Sequence, residues 1–152
     1  MPDRVPVLIV GAGPVGLSLA LGLARCGVQS VVIEKNPSTS ERSRAPGVWS
    51  RTLEIFYGWG VVDELLAAGT CLPQVEVWAA SATKPQVEIA FDLLRATTPY
   101  PGILILPQSK TEAILARRLN DEPLADVRFS SELLDWTESD EGVVARGGHT
   151  GR

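Results

Sequence analysis

Gly11, Gly13 and Gly16, followed by Glu34 18 residues after the third glycine, are the residues whose types and spacing point most directly to chemistry. The turn Gly11-Ala12-Gly13-Pro14-Val15-Gly16 follows a short apolar run, Val7 to Val10, and precedes a segment patterned as a helix. A second apolar run, Val31 to Ile33, ends on Glu34. Strand, glycine turn, helix, strand, acid is the order of a dinucleotide-binding βαβ unit. Gly11 permits a tight turn out of the strand, and Gly13 lets a pyrophosphate approach the backbone with no Cβ between them. Gly16 allows the helix to lie close to the sheet. Pro14 and Val15 complete the turn, where the N–H groups and partial positive charge of a helix start attract phosphate. Glu34 is placed to accept hydrogen bonds from the adenosine ribose hydroxyls, and a 2′-phosphate would be opposed there.

Two other readings of the same stretch stand beside this one. In the first, the glycines serve packing alone in a βαβ unit without a ligand. Val5 to Ala24 also carries no charge and follows Arg4, as an export signal or a membrane span would. Against a span, Gly-Ala-Gly-Pro interrupts the helix, and no small-residue cleavage site or second span follows.

The 152 residues are 45% hydrophobic, enough for one modest domain. Fourteen basic and eighteen acidic residues give a net charge of -4, which argues against a nucleic-acid surface. Cys26 and Cys71 have no metal or redox spacing, and Cys26, near the end of the first helix, reads as a small packing residue. His149 has no metal partner in the pattern. A cytoplasmic location is expected.

The remaining elements must position that turn. A polar leader, Met1 to Arg4, is expected to fray. A helix over about Val15 to Arg25, apolar nearly all round, is expected to be buried and to stop at Gly27. Ser50 reads as an N-cap for Arg51 to Phe56, and Val61 to Ala68 as a further helix. Phe56, Tyr57 and Trp59 read as core packing rather than a stacking box. Gln74 to Ala80 and Val87 to Phe91 alternate as strands around a turn at Thr83-Lys84-Pro85. Ile103 to Leu106 is a short strand ended by Pro107-Gln108, and Ser109-Lys110-Thr111-Glu112 reads as a capping box. Gln108 therefore stands between a strand end and a helix start, as a backbone-bonded amide or as a ligand contact. Val127 to Phe129, Leu133 to Thr137 and Val143 to Ala145 read as strands, with a turn at Asp140-Glu141-Gly142. No regular element is expected after Arg146.

Three segments then carry a resemblance. GAGPVGLSLALGLARCG, RSRAPGVWSRTLEIFYGWGVVDELLAAG and LPQSKTEAILARRL follow one another as in class A flavoprotein monooxygenases, the aromatic-ring hydroxylases related to para-hydroxybenzoate hydroxylase. The resemblance implies FAD as cofactor, NAD(P)H as co-substrate, molecular oxygen and a small aromatic, phenolic substrate. It turns the cations Lys35, Arg42 and Arg44, otherwise ordinary loop charges, into candidate contacts for the nucleotide. Arg42, Arg44 and Ala45 then correspond to the family's FAD-contacting loop, and Gln108 to another FAD contact.

The implied fold is α/β, a Rossmann-like FAD-binding βαβ with a partial substrate-domain β-sheet, incomplete at the C-terminus. Residues 1–72 and 103–152 would form the FAD-binding part and residues 73–102 the sheet, which would expose apolar surface. The family's later Asp-Gly and Gly-Asp motifs do not occur, so the chain reads as an N-terminal segment inactive on its own. No catalytic acid or base is assigned. Other FAD oxidoreductases of the fold, such as a halogenase or an isoprenoid-chain reductase, and a non-catalytic remnant remain as alternatives. Oligomeric state is left open.

Overall fold

Val7–Val10 (β1) and Ser30–Ile33 (β2) run parallel and in register, Val7 opposite Ser30 and Val10 opposite Ile33. Parallel neighbours need a crossover, and the helix Pro14–Arg25 (α1) supplies it. The expected βαβ unit is therefore present. The computed structural model describes residues 4–39 and 47–150. Met1 to Asp3 of the leader lie outside these residues, as do Arg42, Arg44 and Ala45.

A third parallel strand, Ala125–Arg128 (β8), lies on the far side of β2, giving the order β1-β2-β8. Gly47–Trp49 (β3), Thr70–Leu72 (β4) and Ile103–Ile105 (β7) form a separate antiparallel sheet with β7 in the middle. The strand before Gln108 is thus not part of the parallel sheet. Gln74–Val77 (β5) pairs with Val87–Ala90 (β6), and a 3-10 turn over Phe91–Leu94 follows. As expected of that hairpin, Val77, Trp78, Val87 and Ile89 are exposed.

The helices Ser50–Gly58 (α2), Val62–Ala68 (α3) and Gln108–Leu119 (α4) join α1 around one core. Leu17 and Leu21 of α1, Leu53 and Phe56 of α2, Leu65 of α3 and Leu115 and Leu119 of α4 are its centre. Burial of such side chains is worth about 1.5–3 kcal/mol each. Phe56 stacks at a tilt on Trp59, centroids 5.6 Å apart, while Tyr57 is exposed. Two of the three aromatics therefore pack as expected.

Several local expectations are corrected. One side of α1 faces out, with Val15 82% and Leu19 48% exposed. Cys26 is exposed rather than packed. Ser50 does not cap α2: its hydroxyl donates to the carbonyl of Gly102, 3.1 Å away, and the helix begins at Ser50 itself. The capping box also fails, since α4 starts earlier, at Gln108 after Pro107, with no side-chain cap.

Ser131–Ser139 (β9) and Gly142–His149 (β10) form an antiparallel ribbon. β10 continues three residues beyond Arg146 in spite of Gly147 and Gly148, with a register shift between Arg146 and Gly147. A bulge absorbs the weak pairing of glycine there. No helix among the described residues is long and apolar enough to cross a membrane.

Candidate functional site

The glycine turn leaves β1 with Gly11 at φ +105°, a conformation that L side chains rarely adopt. Its N–H donates to the carbonyl of Ile33 at 2.7 Å, so the turn is tied to the end of β2 from its first residue. Gly16 stands for a different reason. A Cβ there would lie 2.0 Å from the carbonyl oxygen of Gly11. The first turn of α1 is pressed directly onto the backbone of the glycine turn.

Gly13 is different again. Its φ is -76°, open to any residue, and an added Cβ would meet no atom of the described residues within 4 Å. Packing therefore explains Gly16 but gives no reason for a glycine at 13. Gly13 is also the N-cap of α1, with no side-chain cap. Pro14 has no N–H, and the N–H of Leu17 already donates to the carbonyl of Gly13 at 3.0 Å. Val15 and Gly16 are left as the donors of the first turn, where a helix favours anions. Space that no described residue fills, beside the N–H groups of a helix start, suits a phosphate.

Glu34 closes the other side. Its Oε2 accepts the N–H of Ala12 at 3.0 Å, and its Oε1 accepts both the N–H and the side-chain amide of Asn36, at 2.9 and 2.5 Å. A carboxylate oxygen accepts about two hydrogen bonds, so Oε2 keeps one position for a ligand hydroxyl. The sequence reading had Glu34 serve the ribose alone. The structure adds that it joins the glycine turn to the loop after β2. Burial works against its ionisation, but the Asn36 and Ala12 hydrogen bonds and the Lys35 charge outweigh it, holding the carboxyl below its ordinary value of 4.5.

A depressed carboxyl pKa contributes stability that is complete above pH 4.5 and is lost as pH falls through the folded-state value. Unfolding free energy of the parent is expected to decline below pH 4.5 more steeply than that of Glu34→Gln, by denaturant titration at a series of pH values. Equal slopes would show that Glu34 does not couple to folding.

The segment after Glu34 is held from behind. The N–H groups of Ser131 and Ser130 donate to the carbonyls of Glu34 and Asn36, at 2.8 and 3.0 Å. The hydroxyl of Thr150 donates to the carbonyl of Lys35 at 2.6 Å. The base of the β9–β10 ribbon thereby fixes the loop, and Lys35 points an exposed side chain beside Glu34.

Ala12, Gly13, Glu34, Asn36 and Thr39 line a small pocket of about 70 Å³ together with Glu112 of α4. Gln108, one turn earlier on α4, donates from Nε2 to Oε1 of Glu112 at 2.7 Å. The structure thus brings Gly11, Gly13, Pro14, Val15, Gly16 and Glu34 together, while Lys35 and Gln108 do not line the pocket: Lys35 follows Glu34 with an exposed side chain, and Gln108 bonds to Glu112. Glu112 was read from sequence only as part of a cap. The signal was available: Glu112, Leu115 and Leu119 recur at i, i+3 and i+7, a stripe that faces the core. A larger, open groove of about 430 Å³ lies between α3 and α4, where Ala67, Ala113 and Ile114 form the floor and Glu64 and Arg117 pair at the rim. It does not contain the glycine turn and lies away from this chemistry. Among the described residues no group of His, Cys, Asp and Glu could hold a metal ion.

Residues 4–150 match the family described as FAD binding domain. A flavin-dependent monooxygenase of Mycobacteroides abscessus is 34% identical over 150 residues, covering 93% of this chain and 31% of that protein. Aklavinone 12-hydroxylase DnrF of Streptomyces peucetius subsp. caesius is 37% identical over 156 residues, covering 95% of this chain and 31% of the relative. Among solved structures, the flavin-dependent monooxygenase PieE in complex with FAD and substrate superimposes with a TM-score of 0.84 at 29% identity, over 98% of this chain and 28% of that one. The ternary complex of aklavinone-11 hydroxylase with FAD and aklavinone gives 0.79 at 33% identity, over 97% and 30%. The chain thus spans about a third of the length of the relatives it matches.

Proposed function

Since the chain belongs to the FAD-binding domain family, we propose that its glycine turn, α1 start and Glu34 hold the adenosine diphosphate half of FAD within a monooxygenase acting on an aromatic, phenolic ring. The observation that carries this reading is Gly13, where a side chain is missing although no atom of the described residues needs the space. A diphosphate placed there meets the N–H groups of Val15 and Gly16, and the ribose meets the open position on Glu34 Oε2. Lys35, next to Glu34, adds a positive charge. Gln108, with Arg42, Arg44 and Ala45 from outside the described residues, completes the proposed contact set.

The chemistry supplied when FAD is bound is two-electron oxidation of NAD(P)H and insertion of one atom of O2 into an electron-rich ring, the other leaving as water. The residues of this chain bind and orient; none is assigned a proton transfer. Residues 1–72 and 103–152 are the proposed FAD-binding part and residues 73–102 part of a sheet covering the substrate, in an enzyme of the cytoplasm. The apolar exposure of β5 and β6 supports that division. Hydroxylation by residues 1–152 alone is not expected; NAD(P)H oxidation yielding hydroxylated product from the purified chain would overturn this.

The test is titration of the purified chain with FAD, followed by quenching of flavin fluorescence, beside Gly13→Ala. The parent is expected to bind FAD. Gly13→Ala should keep its unfolding free energy within about 0.5 kcal/mol, because its Cβ meets no atom of the described residues, and lose FAD affinity about tenfold or more, about 1.4 kcal/mol. ADP should compete with FAD better than 2′,5′-ADP does. A folded parent that binds no FAD would make the chain a non-catalytic remnant.

A further inference from the structure

Between β8 and β9 the chain passes Phe129 and Ser130, and Ser130 alone among the described non-glycine residues has a positive φ, +53°. Such a backbone is uncommon outside glycine and persists where surrounding contacts hold it. The hydrogen bonds show what it achieves. The N–H of Glu34 donates to the carbonyl of Arg128 at 2.9 Å, continuing the ladder between β2 and β8. In a regular parallel ladder the carbonyl of Glu34 would next accept from Ser130. It accepts from Ser131 instead, at 2.8 Å, and the N–H of Ser130 donates to the carbonyl of Asn36 at 3.0 Å.

Successive N–H groups of an extended strand point to opposite sides, so a strand could not aim those of Ser130 and Ser131 at one neighbouring segment. The left-handed turn at Ser130 does so. Its own carbonyl accepts the N–H of Thr150 at 2.8 Å, and the Thr150 hydroxyl takes the carbonyl of Lys35. Three consecutive carbonyls after β2, those of Glu34, Lys35 and Asn36, are thereby held by one corner of the ribbon. Asn36 in turn donates its N–H and its side-chain amide to Oε1 of Glu34, and lines the pocket beside Ala12, Gly13 and Glu34. The turn at Ser130 therefore governs both the backbone of Glu34 and the donors that hold its carboxylate.

We propose that Ser130 is a positioning residue of the nucleotide site, its left-handed backbone aiming two successive N–H groups at the Glu34 and Asn36 carbonyls and so placing the carboxylate that meets the ribose. The proposal rests on the reading of this pocket as the FAD site. It assigns Ser130 a role through Glu34 and Asn36 rather than by contact with the ligand.

The experiment is FAD titration of the purified chain and of Ser130→Gly, Ser130→Val, Glu34→Ala and Glu34→Ala/Ser130→Val, each checked for folding by circular dichroism. Amide hydrogen exchange of the parent with and without ADP accompanies it. Glycine takes a positive φ freely, so Ser130→Gly should stay within about twofold of parental affinity. A β-branched side chain is a genuine outlier there, so Ser130→Val should weaken FAD about tenfold. Because that loss runs through the carboxylate, it should shrink to less than about twofold in the Glu34→Ala background. A folded Ser130→Val of parental affinity would overturn the proposal, and so would equal losses in both backgrounds. A loss in Ser130→Gly as large as in Ser130→Val would also overturn it, since the hydroxyl and not the backbone would then matter. Should Ser130→Val not fold, hydrogen exchange decides. Coupling is reciprocal, so bound ADP should slow the Ser130 and Ser131 amides about tenfold more than those around Thr137 and Val144, at the far end of the ribbon. Equal slowing would mean general stabilisation alone and would sink the proposal. Glu34→Ala is the control for the site itself. If it too leaves FAD affinity unchanged, the pocket is not the FAD site and the proposal falls with that reading; if only it weakens FAD, the pocket stands and the role of Ser130 falls.

Discussion

Gly16→Ala is expected to lower the stability of the ligand-free chain by about 3 kcal/mol, a large share of the roughly 5–15 kcal/mol typical of a domain. The added methyl would sit 2.0 Å from the carbonyl oxygen of Gly11, far inside contact distance. Ile9 also lies close, its Cγ2 at 3.2 Å. Side chains can turn away from such a methyl, but a carbonyl in a turn cannot. The conflict can be relieved only by lifting α1 from the turn or by moving Gly11, whose N–H is bonded to Ile33. Either motion opens the core at Leu17 and Leu21, which are fully buried. Thermal unfolding without FAD would show the effect as a Tm lower by about 10 °C. A parental Tm would mean that the turn and helix are not pressed together in solution. Gly13→Ala is the internal comparison, because it should change ligand affinity and leave Tm alone.

Glu34→Ala should weaken FAD by about 1–3 kcal/mol, the range for hydrogen bonds to a charged group. The loss has two sources. One is the hydroxyl contact at Oε2, and the other is the turn-to-loop connection through Ala12 and Asn36. Glu34→Gln separates them poorly but informatively. Both carboxylate oxygens face N–H donors, so an amide must set its own NH2 against one of them. The glutamine variant should therefore bind nearly as weakly as the alanine one. Hydrogen exchange at Ala12 measures the second source directly, since its N–H loses its acceptor in Glu34→Ala and should exchange faster without ligand. Unchanged FAD affinity in both variants would remove Glu34 from the site.

The βαβ unit was legible because glycine spacing, helical periodicity and the terminal acid are local properties of residues 7–34. Each of them has a physical cause within a few residues of itself. Partner choice is not local. Nothing in Ala125 to Arg128 says that it will lie parallel to β2, and nothing in Ile103 to Ile105 says that it will join β3 and β4 instead. Such pairings depend on where the intervening helices pack. The two cap readings failed for a related reason. Ser50 found a distant acceptor in Gly102, and Pro107 set the start of α4 one residue before Ser109. In both places tertiary contact or backbone restriction outweighed a capping preference of about 1 kcal/mol. Glu112 escaped because a glutamate at the fourth place of a capping box has a sufficient local explanation, and that explanation concealed its place on the buried stripe. For Arg42, Arg44 and Ala45, which lie outside the described residues, the argument stays with the sequence.

The Glu34 carboxylate is held from both sides by Ala12 and Asn36, and the loop carrying it is held by Ser130, Ser131 and Thr150. In entropic terms, the acceptor has lost its rotamer freedom before any nucleotide arrives, as a consequence of folding. Association with FAD then does not have to freeze it, so more of the contact energy appears as affinity. Fragments that carry only an adenosine moiety should accordingly find this corner already shaped for them.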